Sequence, residues 1–218
     1  MSIPPPEVQV SKVLVLISAI VLLCACALFR SSAAVKPVVA ASTSEVSYDK
    51  DGNLLVPQNY REWIYLTSGI NMSYTDTSAA AHDMFDNVFV NPEAFQTFLK
   101  TGTWPDKTTF VLEVREARNK GSINLRGHYQ GTDVMGIEVH AKDESRFPGK
   151  WAFFEVDSSS MKGKLIPQSA NCYSCHSAHG AVDTTFVQFY PTLLPTAEKK
   201  HTLSRAYLDE NAAPAAKQ

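Results

Sequence analysis

The sequence predicts an α+β fold, mainly an antiparallel β-sheet with flanking helices. Two patterns predict it. The earlier part of the domain carries apolar residues every three or four positions, which is the spacing of helices. The later part alternates apolar and polar residues between turns rich in Gly, Asn and Asp, which is typical of half-buried strands joined in an antiparallel sheet.

The start of the chain has the pattern of an export signal. Lys12 precedes an apolar run at residues 13–29, and small residues follow it. We therefore expect residues 1–34 to be a signal peptide and residues 35–50 to be a linker. The prediction places the mature protein in the periplasm.

Other fates of this segment stay open. Cleavage after Ala41 also suits the small-residue rule, and Cys26 lies where a lipoprotein signal would carry its lipidated cysteine. An uncleaved membrane anchor is the third alternative, since the apolar run is only slightly short for a span. Contact with a membrane is expected only through such an N-terminus.

The first predicted helix covers residues 57–68. Pro57 suits a first turn, Tyr60, Trp63 and Ile64 have helical spacing, and Gly69 follows the end.

A second helix is predicted to begin at Asn91-Pro92-Glu93. Asn can accept hydrogen bonds from free backbone N–H groups, and Pro loses nothing in the first turn. Phe95, Phe98 and Leu99 then form one apolar stripe, and Gly102 ends the helix.

Three strands are expected next. Phe110, Leu112 and Val114 alternate with residues that would point to the other side of a strand. Residues 136–142 alternate in the same way, and residues 151–156 are aromatic and β-branched. The sequence predicts one domain at residues 51–208 and a flexible Ala/Pro-containing tail at residues 209–218.

The charge balance argues against nucleic-acid binding. The 218-residue chain has a formal net charge of −2 and no long run of Lys or Arg. A protein that tracks a phosphate backbone needs such a basic surface.

A short motif near the C-terminus predicts the cofactor. Cys172, Cys175 and His176 form a C-x-x-C-H sequence, the attachment pattern of haem c. The two thiols can bond to the vinyl groups at one porphyrin edge, while the imidazole binds the iron. A zinc site would need further ligands nearby, and a redox C-x-x-C usually belongs to a thioredoxin-like pattern. We expect one covalent haem c held by a C-terminal segment.

The second axial position decides the function, because a second strong ligand gives an electron carrier and an open position admits a small molecule. No methionine follows Cys175, so a later Met ligand is excluded. The remaining candidates are Met161, His128, His140, His179 and His201.

Several short segments together resemble the cytochrome P-460 and cytochrome c-prime-beta family. The matching segments are Asn59-Tyr60-Arg61-Glu62-Trp63, Val90-Asn91-Pro92-Glu93, Gly136-Ile137-Glu138, Lys142-Asp143, Trp151-Ala152-Phe153, and the haem motif followed by Phe189-Tyr190-Pro191. The resemblance covers residues 54–194. It implies a homodimer with a mainly antiparallel sheet, a five-coordinate haem and a distal pocket for small molecules.

The two branches of this family differ at one position. P-460 proteins oxidise hydroxylamine and carry a strand lysine cross-linked to the porphyrin, whereas the c-prime-beta relatives bind nitric oxide and carbon monoxide. An ungapped alignment from Asp106 places Leu112 at the lysine position, so the link is not expected. A shifted cross-link from Lys107 or Lys120 is the alternative. Leu112 and Phe110 are then predicted to face the haem, as an apolar wall that favours neutral diatomic ligands.

Two acidic residues fall at family positions that matter for catalysis. Glu138 matches the distal carboxylate and is a candidate proton acceptor, although an exposed strand glutamate would look the same. Asp86 stands about where the P-460 enzymes have an arginine, which weakens the case for intact hydroxylamine turnover.

The expected function is therefore a five-coordinate haem c protein that binds or oxidises small nitrogen species such as nitric oxide and hydroxylamine, with a redox partner protein. Whether it is an enzyme stays open. The alternative is electron transfer through a six-coordinate haem; a purely structural role is the weakest option.

Overall fold

One antiparallel sheet of eight strands dominates the residues that the computed structural model describes, 45–73 and 82–212. Its spatial order is β1-β2-β8-β7-β6-β5-β4-β3. The strands are β1 (Ser47–Tyr48), β2 (Leu54–Leu55), β3 (Ile64–Ile70), β4 (Met84–Val90), β5 (Thr109–Arg118), β6 (Tyr129–Lys142), β7 (Trp151–Asp157) and β8 (Lys162–Leu165). The predicted α+β class is confirmed.

Four α-helices accompany the sheet in the described part of the chain. They are α1 (Pro92–Thr101), α2 (Asn171–His179), α3 (Leu194–Lys200) and α4 (Arg205–Ala212), with short 3-10 helices at Tyr60–Glu62 and Val187–Phe189. Most of this helical material follows the last strand, so the C-terminal third of the domain covers one face of a finished sheet.

The sheet separates two apolar clusters, because successive side chains of a strand point to opposite faces. One cluster includes Phe98, Phe110 and Leu193 and lies on the helix side. The other includes Val111 and Phe154 and lies beneath the N-terminal strands. Neighbouring residues of β5 thus serve different cores, and the helix side also holds the candidate site.

The predicted helix at residues 57–68 is wrong. The structure has only the 3-10 turn Tyr60–Glu62, followed by strand β3 at Ile64–Ile70. The apolar spacing misled because its members serve different clusters: Trp63 packs on the N-terminal side of the sheet, and Ile64 against the helix side. Because these residues pack on opposite faces of the sheet, they cannot form the single apolar stripe of a helix, and the segment pairs as a strand instead.

The second predicted helix is confirmed as α1, which ends at Gly102 with a left-handed φ of 77°. Two details differ. Asn91 does not cap the helix with its side chain; its Oδ1 accepts a hydrogen bond from the Thr109 backbone N–H at 2.8 Å and so ties the helix start to β5. Leu99 is exposed, and Ala94 joins Phe98 in the buried stripe.

The three predicted strands are confirmed as β5, β6 and β7, and each is longer than the pattern indicated. Regular structure also reaches beyond the predicted domain limits, since β1 lies in the expected linker and α4 runs into residues 209–212. Tyr48 explains the earlier start, because its ring packs against Phe147 and Phe154.

The predicted signal peptide, most of the linker and the end of the tail lie outside the described residues. Within the described ranges, none of the helices has the length and apolar character needed to cross a membrane.

Candidate functional site

A cavity of about 310 Å³ opens between the helix side of the sheet and the segment that follows α2. Its walls come from strands β3 to β7, from His176 and from residues 185–190. Far more of its surface is hydrocarbon than polar, with Phe110, Leu112 and Val114 of β5 side by side on one strand face. An apolar cavity with few polar groups is the usual form of a small-molecule or cofactor site.

His176 presents a neutral imidazole to this cavity. Its Nδ1–H donates to the Thr184 carbonyl at 2.8 Å, because a carbonyl oxygen can only accept. Burial lowers the pKa of His176, and the Thr184 hydrogen bond opposes this only partly. The lone pair is therefore on Nε2, the nitrogen that a histidine so held offers to a metal.

Aromatic rings pack around the His176 imidazole on several sides. The ring centroids of Phe186, Phe153 and His140 lie 4.1, 4.6 and 5.1 Å from it. This packing leaves the imidazole few orientations, so its direction is set by the fold before any ligand arrives.

Helix α2 carries the two cysteines, and Tyr173, which lies between them in the sequence, anchors the helix to the sheet. The Tyr173 hydroxyl donates to the Ile166 carbonyl at 3.0 Å and accepts from the Phe153 backbone N–H at 3.2 Å. Cys172 and Cys175 are three residues apart, hence on one side of the helix, and both are free thiols of intermediate exposure. Burial raises the pKa of Cys175, and the nearby Cys172 adds to this.

These residues fit a covalently attached haem. Two free thiols on one helix side stand beside a neutral imidazole that faces an apolar cavity, and no cluster of three or more metal-binding side chains competes among the described residues. One buried polar atom of a cavity-lining residue, His140 Nε2, also has no hydrogen-bond partner in the structure. Buried polar atoms of this kind normally have a partner, so the site has the character of one completed by another group.

Of the proposed sixth-ligand candidates, only His140 lies at the cavity. Its ring stacks on Phe153 at 4.0 Å, and burial holds the pKa of His140 well below its usual range, with His176 adding to the effect. Met161 packs on the opposite face of the sheet, and His179 pairs with Glu210.

The predicted distal residues lie along one wall. Leu112 pairs with Glu138 across β5 and β6, and both line the cavity together with Phe110 and Asp86. Lys107 instead pairs with Asp143 at 2.6 Å, and neither it nor Lys120 lines the cavity.

Burial raises the pKa of Glu138, and the negative charges of Glu155 and Asp86 raise it further. Burial alone raises the pKa of Asp86. The cavity wall therefore carries two carboxylates whose charged forms are disfavoured, which brings Glu138 closer to the range in which a carboxylate exchanges protons near neutral pH.

The turn that follows α2 could not be predicted from the sequence. Its Thr184 carbonyl holds His176, yet a backbone acceptor leaves no mark on residue identity. Phe186 and Phe153 were equally hard to find, because aromatic residues more often belong to a core than to a cofactor site.

Comparison with known protein families finds one match. A family model described as Cytochrome P460 matches residues 57–187, which is more than half of the chain and includes the strands of the cavity wall and the C-x-x-C-H motif. No curated protein matches the chain.

Proposed function

Because this chain belongs to the cytochrome P460 family and is thus a cytochrome with covalently attached haem c, we propose that it binds or oxidises small nitrogen species, such as nitric oxide and hydroxylamine, at a five-coordinate haem. The observation that carries the proposal is the make-up of the cavity, which has one well-held imidazole and a largely apolar wall formed by the strands.

Cys172 and Cys175 would hold the porphyrin edge, and His176 would bind the iron through Nε2. When bound, the haem would supply an iron site for a small ligand and for electron uptake, with an external redox partner as the electron acceptor. The protein's own residues would do two things. The aromatic rings around His176 would hold the imidazole in place, and the apolar wall would exclude water from the site.

Five-coordination is supported by where the other candidate ligands lie. Two imidazoles that bind one iron from opposite sides have donor nitrogens about 4 Å apart and ring centres about 6 Å apart, given metal–nitrogen bonds of about 2 Å. His140 and His176 are closer, at 5.1 Å between centroids, and meet at an interplanar angle of 73°. This is the contact of two neighbours packed together, not of two ligands facing each other.

Glu138 would accept protons from a bound N–O substrate. Its side chain lines the cavity beside Leu112, and burial together with the charges of Glu155 and Asp86 raises its pKa, which makes its carboxylate a stronger base than that of an ordinary glutamate. Leu112 and Phe110 offer no hydrogen bond, so they favour neutral diatomic ligands over anions. Export to the periplasm, homodimer formation and a redox partner protein complete the proposal.

The spectrum of the full-length holoprotein tests this function. We expect the ferrous form to bind carbon monoxide, and the protein to oxidise hydroxylamine anaerobically when an artificial electron acceptor is supplied. Carbon monoxide binding without hydroxylamine turnover would exclude hydroxylamine oxidation and leave ligand binding as the function. A low-spin spectrum in both oxidation states, with no carbon monoxide adduct, would reject the open iron site.

Electron transfer through a six-coordinate haem is the second candidate, since His140 Nε2 is buried and has no hydrogen-bond partner in the structure. A His140→Phe variant keeps an aromatic ring between Phe153 and Trp151. If His140 binds iron, this variant converts a low-spin spectrum to high-spin. An unchanged spectrum is the result that our proposal requires.

The identity of Leu112 predicts that only two covalent bonds, those of Cys172 and Cys175, join the porphyrin to the protein. Mass spectrometry of haem peptides should show attachment at Cys172 and Cys175 alone. When the Leu112→Lys holoprotein is treated with a peroxide as two-electron oxidant, we expect a bond from the lysine nitrogen to replace a porphyrin C–H and to change the visible absorption, because residue 112 faces the cavity. Val114→Lys, one pleat along the same strand face, is the matched control, and a cross-link there instead would show that the alignment is shifted.

A further inference from the structure

The turn between α2 and the last 3-10 helix has an unusual backbone. Val182 and Thr185 exchange backbone hydrogen bonds, at 3.3 Å and 2.9 Å, so Asp183 and Thr184 form a two-residue hairpin turn. Their φ angles are 48° and 61°. Such turns favour Asn-Gly or Asp-Gly, and a β-branched residue at positive φ is a rare, strained choice.

This strained turn supports the candidate axial ligand. The Thr184 carbonyl is the acceptor for His176 Nδ1 at 2.8 Å. A backbone held in a sparsely populated region persists only where the surrounding structure enforces it, and such positions concentrate at functional sites. The structure must therefore contain a group that holds the turn.

Lys142 is that group. It is buried at the end of β6, on the strand face that also carries Glu138 and His140. Its Nζ donates to Asp183 Oδ2 at 2.7 Å and to the Trp104 carbonyl at 2.8 Å. A buried ammonium needs such partners, so the ion pair ties the turn firmly to the sheet.

Trp104 holds the other end of the turn. Its indole Nε1–H donates to Thr185 Oγ1 at 2.8 Å, and that hydroxyl donates to the Val182 carbonyl at 2.7 Å. The Lys142 ammonium thus binds Asp183 within the hairpin turn, and the Trp104 indole binds Thr185, the residue that ends it. We define Lys142, Asp183 and Trp104 as the turn clamp.

We propose that Lys142, through its ion pair with Asp183, is a positioning residue for the axial histidine: it keeps the strained turn in place so that the Thr184 carbonyl accepts a hydrogen bond from His176. This inference rests on the proposed ligation of iron by His176. A hydrogen bond to Nδ1 makes the imidazole a stronger donor to the metal. Ferric iron is stabilised most by such a donor, so the clamp lowers the reduction potential.

Lys142→Met tests the clamp, since it keeps the apolar stem and removes the charge. We expect a lower iron–histidine stretching frequency in the resonance Raman spectrum of the ferrous protein. The ferric-to-ferrous equilibrium should shift toward ferrous by about 10-fold, or about 59 mV for one electron. Asp183→Ala removes the other, more exposed partner of this ion pair. It should lower the same stretching frequency and can replace Lys142→Met if that variant does not fold.

Rescue separates positioning from a general loss of stability. Lys142→Met combined with Thr184→Gly creates the Asp-Gly sequence that this turn prefers, so the turn no longer needs the clamp. The double variant should regain the wild-type frequency. Lys107→Met is the matched control, because it breaks a Lys–Asp pair of similar length, with Asp143, that does not involve the turn; it should leave the frequency unchanged.

The possible failures can be told apart. A wild-type ferrous spectrum without an iron–histidine stretch would reject a five-coordinate haem held by His176, and with it the proposed function. A normal wild-type stretch that neither Lys142→Met nor Asp183→Ala changes would reject only the positioning role. A shift that Thr184→Gly fails to reverse would show that the ion pair does not act through the turn.

Discussion

Glu138 faces a negative neighbour on each side of its strand. Glu155 pairs with it directly across β6 and β7, and Asp86 acts on it from β4. Burial and these two charges raise its pKa, so the carboxylate that could accept a proton forms only at higher pH than for an ordinary glutamate. Its neighbours therefore set the pH range in which it can work as a base.

This environment predicts a specific pH dependence of hydroxylamine oxidation. Activity should rise with pH as Glu138 loses its proton, and Asp86→Asn should move that rise to lower pH, because removing a negative charge lowers the pKa of Glu138. Glu155→Gln should act in the same direction. Glu138→Gln should reduce kcat/KM by about 10²- to 10⁴-fold and abolish the dependence on these neighbours. The measurement is kcat/KM against pH; full activity in Glu138→Gln would exclude this base.

At the scale of single residues, sequence patterns predict which side chains share a face better than they predict which backbone groups form hydrogen bonds. The two-residue period correctly placed Phe110, Leu112 and Val114 on one strand face, and that face lines the cavity. The partner of His176 could not be predicted, because it is a carbonyl whose position depends on two left-handed residues that are neither Gly nor Asn.

At the scale of elements, strand β3 shows why one prediction failed. Its pairing with β4 shifts register between Tyr65 and Thr67, and this bulge lets Thr67 and Gly69 face the cavity. Because the bulge interrupts strict alternation, β3 does not show the two-residue pattern by which a strand is predicted. Pairing with β4 decides the outcome, and β4 has no pattern that singles it out from the sequence.

The junction of α2 with the following turn depends on close backbone contact at Gly180. A Cβ there would lie 2.6 Å from the His176 carbonyl oxygen and 2.8 Å from the Thr184 carbonyl carbon. Both are backbone atoms, so neither can move away as a flexible side chain would. The glycine is required by space, since its φ of −66° suits any residue.

We therefore expect Gly180→Ala to push the turn away from the helix. The holoprotein should lose about 1–3 kcal/mol in free energy of unfolding, the range for an overpacked site, and its visible spectrum should change. Urea unfolding and absorption spectra are the measurements. Gly136→Ala is the control: a Cβ there meets nothing within 4 Å, so stability should stay within about 0.5 kcal/mol. Equal losses in both variants would contradict the contact argument.

At the scale of the whole molecule, the two faces of the sheet divide structural and functional roles. The helix side holds the cavity, and the opposite side holds a buried carboxylate, Glu113, in a polar network. The Tyr60 hydroxyl donates to Glu113, and Arg61 and Arg115 form ion pairs with it. Because β5 carries both Glu113 and Leu112, one strand joins this network to the cavity wall.

The Glu113 network should govern stability without changing the haem. Burial raises the pKa of Glu113, but the Tyr60 hydrogen bond and the two arginines outweigh it, so the net shift is downward. A carboxyl whose pKa is lowered by folding contributes stability above its unfolded pKa and loses that contribution as pH falls through the folded pKa. The wild-type advantage should thus be complete at pH 7 and shrink in acid.

Glu113→Gln should cost about 3 kcal/mol at pH 7, the low end for a broken buried pair, because Arg61 is half exposed and water compensates it. Urea unfolding at pH 7 and at pH 4 should show the difference from wild type decreasing as the pH is lowered. Glu116→Gln, which breaks an exposed pair with Arg118 on the same strand, should cost under about 1 kcal/mol. The iron–histidine frequency should be unchanged in both variants, since Glu113 contacts neither the cavity nor the turn clamp. A shifted frequency in Glu113→Gln alone would show that the two faces of the sheet are coupled through β5.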